Sequence, residues 1–541
     1  MKGLKKIEVV KTGVFLAAAG LLLGICVYGA FAEDQRILGC RPLSEKKKEA
    51  LSEARPVSAQ EVQLLWNNEA LPYDRALGAF CLPQTLEEGW SGYLRVVAQG
   101  ENYPLYLSRE EWEDKSAALR EARVLSLYGL NRQDTIRLQV VATALPVMEI
   151  STTAPAEELE GEAKGSLRLF WLQAPEREDR LIFSRLCYHV RGSGSLSYEK
   201  KNYTVSLKDD EGRARHRDLL GLRDDDDWKL FSLALDDTLC REKTANDLWN
   251  RMAARDGSPP SNEMRYVELY MDGEYRGVYT LAPRLDQKTY GLTEEGRLYK
   301  YARTVELWAP YTLNTLEGKQ YLNWDDRVKV LWPKEYREGI WGPLNQYFGQ
   351  FFWADGMEAD RETAFAAVKM KNLADTALYK QVVYMADCAQ GHNMLYLQYG
   401  PGEGIYRVPY DNDQVFGLSV MEPVGDYVSD IVPDREVQAL YRLDPVYTQR
   451  LMSKRWNQLR GQAFSDESIA GLWSQNSAYI RDTGGLAHNA ARWGASPEAA
   501  LREGEALLRL ERERMAYLDG YMQAYLPPEQ RREEGAGSLA S

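Results

Sequence analysis

Asp387 and Asn393 stand six residues apart and lead into the apolar run Met394-Leu395-Tyr396-Leu397, and Asp411-Asn412-Asp413 follows a second short run, Tyr406-Arg407-Val408-Pro409-Tyr410. Three acids and an amide therefore flank two short strands joined by a Gly-rich hairpin. Phosphoryl transfer calls for such groups: a carboxylate to orient the attacking hydroxyl, and an amide with a carboxylate to hold magnesium on the phosphates. The spacing is looser than the common H-R-D-x-x-x-x-N pattern. Asp and Asn also end strands because they form turns, and the residues alone leave both readings open.

A second candidate lies upstream. Arg191-Gly192-Ser193-Gly194-Ser195 joins two strand-like runs, with Lys200 and Lys201 at the start of the second. Glycines let backbone N–H groups approach a polyphosphate, and a lysine on the next strand can answer its charge. The loop does not fit G-x-x-x-x-G-K-[ST], and a loose hairpin explains it equally. Asp224-Asp225-Asp226-Asp227 lacks the ligand spacing of a calcium loop and reads as a solvated acidic turn. His216 and His488 have no partners at metal or nucleophile spacing and read as structural. The six cysteines are scattered without a C-x-x-C pair, so zinc finds no ligand set, and free thiols are favoured over a bridge such as Cys40 to Cys81. A glycan hydrolase, suggested by 14 Trp and 33 Tyr, lacks any acid and base pair fixed at the needed separation.

These groups need positioning elements. Alternating runs with turn signals over 33–144 indicate a β-rich accessory domain. Leu145 to Ile150 starts the next domain as a strand, and Thr152 to Gly165 reads as an exposed loop. Strands continue to about 285 around one helix, expected from Asp237 to Ala254, with Ala245, Leu248, Trp249 and Met252 on its buried face. Asp272-Gly273 between two apolar runs signals a hairpin. Beyond 340 helical patterns dominate, ending in a long amphipathic helix stopped by Pro527-Pro528, with a disordered tail over 528–541.

At the N-terminus Lys2, Lys5, Lys6 and Lys11 precede a charge-free apolar stretch from Thr12 to Ala32. It reads either as a signal peptide cut after Ala32 or as an uncleaved single membrane anchor, and both place the rest of the chain outside the cell. With 67 Lys and Arg against 80 Asp and Glu, a net charge of −13 disfavours a nucleic-acid partner.

Four stretches, taken in order, resemble the spore-coat-protein-H (CotH) kinase family. Arg191-Gly192 with Lys200-Lys201-Asn202-Tyr203 resembles its R-G-x-S-S and K-K-S-Y segments. Leu219-Leu220-Gly221, Asp226-Asp227-Trp228 and Leu239-Cys240-Arg241-Glu242 resemble its L-L-G, D-D-W and L-x-R-N sequence. Val267-Glu268-Leu269-Tyr270-Met271-Asp272-Gly273 resembles its V-E-L-Y-x-N-G hairpin. His392-Asn393 and Pro409-Tyr410-Asp411-Asn412-Asp413 resemble its H-N and P-W-D-x-D segments.

The resemblance, over roughly 145–525, implies an α+β fold: a protein-kinase-like, two-lobed domain over 145–527, with a strand-rich small lobe to about 285 and a helical large lobe from 286. It implies an atypical secreted protein kinase using ATP with Mg2+ or Mn2+ on Ser or Thr of spore-coat or cell-envelope proteins. Asp387 would be the catalytic carboxylate, and Asn393, Asp411 and Asp413 the metal-binding groups. Arg191, Gly192 and Gly194 would form the nucleotide loop. Lys201 or Lys200 would contact the phosphates, with Asp247 as the acidic partner of that lysine. Two departures stand out: Tyr410 replaces the usual Trp, a mild change, and Glu242 replaces a common Asn, touching the helix start and not the metal site. The competing account is a non-catalytic coat or envelope scaffold on the same fold.

Overall fold

The computed structural model describes residues 36–57, 62–87, 89–132, 134–155, 161–192, 194–301, 323–324, 328–352, 361–388, 393–418, 426–523 and 525. The expected export signal and the 528–541 tail lie outside the described residues. No helix among the described residues is long and apolar enough to cross a membrane.

Residues 36–143 build two sheets around one apolar cluster. Asp134–Thr143 pairs antiparallel with Val124–Asn131 and parallel with Ala79–Pro83, while Val62–Trp66 pairs with Leu94–Ala98 in the smaller sheet. Ile136, Leu138 and Val140 alternate into the core, as period-two patterning requires.

The next seven strands close a barrel. They are β1 (Val147–Ala154), β2 (Ala163–Phe170), β3 (Leu181–Arg191), β4 (Asn202–Lys208), β5 (Asp227–Phe231), β6 (Arg265–Met271) and β7 (Glu274–Pro283), with helix α1 (Arg241–Asp256) inserted before β6. Neighbours are antiparallel except at the seam, where β1 runs parallel to β6 with Val147 opposite Glu268. Leu167, Leu186, Val205, Trp228, Leu230 and Leu269 fill the interior. The expected 152–165 loop is narrower than the sequence suggested, because both flanking strands run into it.

Helix α1 starts four residues later than expected. Asp236 accepts from the backbone of Thr238 and Arg241, and Leu239 takes φ +59°, so 236–240 is spent on a tight turn that delays the helix. Ala245, Leu248, Trp249 and Met252 are wholly buried, as their spacing predicts.

A second sheet contains β8 (Arg297–Tyr301), β9 (Asn323–Trp324), β10 (Val328–Trp332), β11 (Met394–Gln398) and β12 (Tyr406–Pro409). Helices surround it: α2 (Gly342–Phe352), α3 (Arg361–Ala367), α4 (Met370–Val382), α5 (Arg435–Leu443), α6 (Pro445–Arg460), α7 (Asp466–Asp482), α8 (Gly485–Trp493) and the long α9 (Pro497–Gln523). Trp249 of α1 meets Tyr379 of α4 edge-on with ring centroids 5.2 Å apart, so one apolar cluster runs from the barrel helix into the helical part.

The N-terminal sheets are docked on this body. Ala144 donates its N–H to the Thr483 carbonyl at 2.9 Å. Gly484, at φ +88°, lies so near Leu119 that a Cβ would come within 2.3 Å of the Leu119 carbonyl oxygen. The five described cysteines are free thiols, so Cys40 and Cys81 are not bridged.

Candidate active site

The site gathers where α1, the turn after α4 and the segment after β12 meet. Asp387 lies in a short 3-10 turn over Ala386–Cys388. Asn393 opens β11 in left-handed geometry at φ +61°, a conformation Asn tolerates better than most residues. Its backbone N–H is fixed by the Tyr301 carbonyl at 2.8 Å, and its side-chain Nδ2 donates to Asp387 Oδ2 at 2.6 Å. The amide nitrogen thus orients the carboxylate and leaves the amide oxygen as the group for a cation. His392 lies outside the described residues.

In the segment after β12, Asp411 and Asp413 stay partly exposed. Asn412 is the buried one. Its Nδ2 donates to Asn246 Oδ1 at 3.0 Å, and its Oδ1 accepts from the Tyr379 hydroxyl at 3.3 Å. Asn246 in turn donates to the Glu242 carbonyl at 2.9 Å, one turn earlier on α1. This buried amide chain sets the register between the two aspartates and the first turn of α1.

That register brings Glu242 into the acid cluster, against the expectation that it concerns only the helix start. Glu242 is 4% exposed, and its Oε1 is buried without a hydrogen-bond partner. Burial first, then the charges of Asp413 and Asp411, push its carboxyl well above the usual range, while Arg191 opposes the shift. Asp413 is raised in the same way, by burial and then by Asp411 and Asp387, again against Arg191. Crowded carboxylates with one orphaned oxygen are what a divalent cation would relieve. No three of these acids bring their oxygens within 4.8 Å of one another; the one described trio that does is His216, Asp225 and Asp226.

Asp224-Asp225-Asp226-Asp227 is not the wholly solvated acidic turn expected, since only Asp224 is exposed. Asp225 is fully buried and paired with Arg223 and Lys288, and Lys288 also reaches Asp226 at 3.0 Å. Two side-chain cations already neutralise this trio. His488 is likewise structural, stacked on Tyr275 at 3.8 Å with Nδ1 3.2 Å from Glu268.

The loop expected to hold nucleotide approaches the cluster. Gly192 takes φ +122°, where a Cβ would collide with Ser195 Oγ, and Gly194 opens a 3-10 turn to Ser197. Tyr198 feels the Asp413 charge, which adds to burial in raising its phenol. Arg191 acts on Asp413 and Glu242 as noted, and stacks over Phe231 with its guanidinium 4.9 Å from the ring centre.

Both expected phosphate lysines turn elsewhere. Lys200 is buried, donating to the Val278 carbonyl at 2.7 Å and to Asn489 Oδ1 at 2.9 Å, which ties the barrel to α8. Lys201 donates to the Leu196 carbonyl at 2.6 Å and braces its own loop. Asp247 does not partner either: its carboxylate accepts from Lys243 at 2.7 Å and from Asn476 at 3.0 Å.

Two other lysines meet at Tyr410, the residue before Asp411, and the sequence reading missed them. Lys229 Nζ donates to the Tyr410 hydroxyl at 3.0 Å, and Lys300 Nζ sits 4.0 Å from the centre of the same ring. The exchange of Trp for Tyr at 410 is therefore not mild, since a hydroxyl now engages a lysine next to Asp411. Burial would raise the Tyr410 phenol, but Lys229, Lys300 and Arg191 outweigh it and bring it down to about 6.

A family model described as CotH kinase protein matches residues 188–497. No curated protein matches the chain. The matched segment begins inside β3, so the strands that close the barrel at β1 and β2 lie outside it, while every residue of the acid cluster lies inside.

Proposed function

The chain belongs to the CotH kinase protein family, and on that premise we propose that it is an atypical protein kinase passing the γ-phosphoryl group of ATP to a Ser or Thr hydroxyl of a coat or envelope protein. The family's link to the spore coat fits action at a surface. In this reading the barrel with α1 is a small lobe, the helical part is a large lobe, and the site lies between them.

The observation that carries the proposal is that Asp387, Asp411, Asp413 and Glu242 lie within reach of one another's charge, with Asn393 bonded to Asp387 and one Glu242 oxygen buried without a hydrogen bond. Asp387, steered by the Asn393 amide, would orient the acceptor hydroxyl and take its proton. The Asn393 oxygen, Asp411 and Asp413 would hold Mg2+ or Mn2+, with Glu242 as a further acidic group in reach. A bound divalent cation supplies charge neutralisation on the phosphates. Arg191 and the Gly192 loop would cover the phosphate side.

The test is transfer of label from γ-labelled ATP by the full chain with Mg2+ or Mn2+. Asp387→Ala and Asp411→Ala should each lower incorporation by roughly a hundredfold or more. Absence of both label and metal-dependent nucleotide binding in the wild type would leave the scaffold reading standing.

A further inference from the structure

With Lys200 and Lys201 committed elsewhere, positive charge near the candidate site gathers in three other side chains, Arg191 acting on the acids and two lysines meeting at Tyr410. Arg191 ends β3, Lys229 lies in β5 and Lys300 lies in β8. Trp228 and Leu230 fill the barrel interior, so Lys229 between them points outward, toward the second sheet. Tyr299 and Tyr301 pack into the main cluster, so Lys300 takes the opposite face of its strand. Both ammonium groups meet at the ring of Tyr410, 4.5 and 4.0 Å from its centre. Among the described residues, none of the three cations is ion-paired with a carboxylate, and Arg191 keeps a buried guanidinium nitrogen without a partner.

Three cations gathered at a largely buried point carry more charge than the one phenol oxygen bonded to Lys229 can answer, a costly arrangement unless a further anion joins them. Burial, with Arg191 and Lys300 adding to it, lowers Lys229 to about 8 against the pull of Tyr410. Lys300 and Arg191 remain partly exposed, which gives an anion a way in. Arg191 links this point to the acid cluster, because it acts on Asp413 and Glu242 as well as on Lys229.

We propose that Arg191, Lys229 and Lys300 form a cradle for the phosphate chain of a nucleoside triphosphate, held so that its terminal phosphate faces Asp411 and Asp413. The nucleotide identity rests on the kinase reading; the cradle itself requires only a polyphosphate. Tyr410 receives both lysines over its ring, and its hydroxyl fixes Lys229.

Calorimetric titration of the full chain in EDTA with inorganic tripolyphosphate, and separately with ATP, tests this without relying on catalysis. Lys300→Met and Lys229→Met should each weaken both ligands by about tenfold, the loss of one charge-assisted contact. Lys164→Met, which removes an exposed charge on β2, should change neither. Thermal melting guards against misfolding at buried Lys229, and Lys300→Arg should recover most of the Lys300→Met loss. Unchanged binding in both Met variants overturns the cradle, even if the wild type transfers phosphate. ATP binding much weaker than tripolyphosphate binding overturns the nucleotide assignment. A wild type that transfers no phosphate, yet loses ATP affinity in the Met variants, keeps the cradle and rejects the kinase reading.

Discussion

Single side chains in this protein are defined by what they are denied as much as by what they touch. Glu511 of α9 is buried, its Oε2 accepts from the Tyr427 hydroxyl, and its Oε1 has no partner. Burial pushes its carboxyl up to about 7, although the Tyr427 bond and Arg514 pull the other way. Above its unfolded value the unfolded chain releases a proton that the folded chain keeps, so the group costs stability progressively as pH rises from about 4.5 to about 7. Glu511→Gln should therefore gain on the wild type over that window, by at most about 3 kcal/mol, and match it at lower pH. Denaturant titrations at several pH values read the difference directly. At the same scale, the sequence displayed Asp387, Asn393, Asp411 and Asp413 as a set, because acids and amides at strand ends are visible in order. It concealed Glu242, Lys229 and Lys300, whose placement depends on which way three different elements face. Lys200 and Lys201 misled for the matching reason: position after a Gly-rich loop says nothing about a partner such as Asn489, some 290 residues away.

At the level of elements, the site is a matter of register. Strands β11 and β12 carry Asn393 and Asp411 on one hairpin, but nothing in that hairpin fixes its distance from α1. The buried amides do so, through Asn412, Asn246 and the Glu242 carbonyl. Asn412→Ala should lower stability by about 1–3 kcal/mol by leaving Asn246 underserved. It should also weaken Mn2+ binding by roughly 10- to 100-fold, the usual cost of losing a group that orients metal ligands. Manganese titration followed by electron paramagnetic resonance separates the two effects. Element types were largely legible from the chain: the Asp272-Gly273 hairpin, the buried face of α1 and the long final helix all match their periodicity. Closure of the barrel was not, because pairing of β1 with β6 joins segments that share no local signal.

For the whole molecule, the N-terminal sheets belong to the mechanics of the remainder. They meet α7 and α8 through the Ala144 to Thr483 bond and the close passage of Gly484 under Leu119. Gly484→Ala combines a left-handed position with a backbone collision, and should lower the melting temperature by an amount corresponding to about 1–3 kcal/mol or more. It should also open the junction near 144 to limited proteolysis. Wild-type-like melting and cleavage would show that the sheets are not held through this contact. The run of strand patterns suggested a boundary near 144, but the contact itself joins Ala144, ahead of the family-matched segment, to Thr483 inside it, and leaves no trace in local pattern.

The parallel seam of the barrel has a consequence in time. Strand β1 is made early, yet its partner β6 is contributed only after more than a hundred further residues, including all of α1. Until then one edge of β1 stands open, with its amides and carbonyls available to any other strand. Closing such a long loop is slow compared with forming the hairpins between. The growing chain can therefore lay down β2 to β5 in sequence while the sheet remains uncurled, its last lateral bond row still to zip shut.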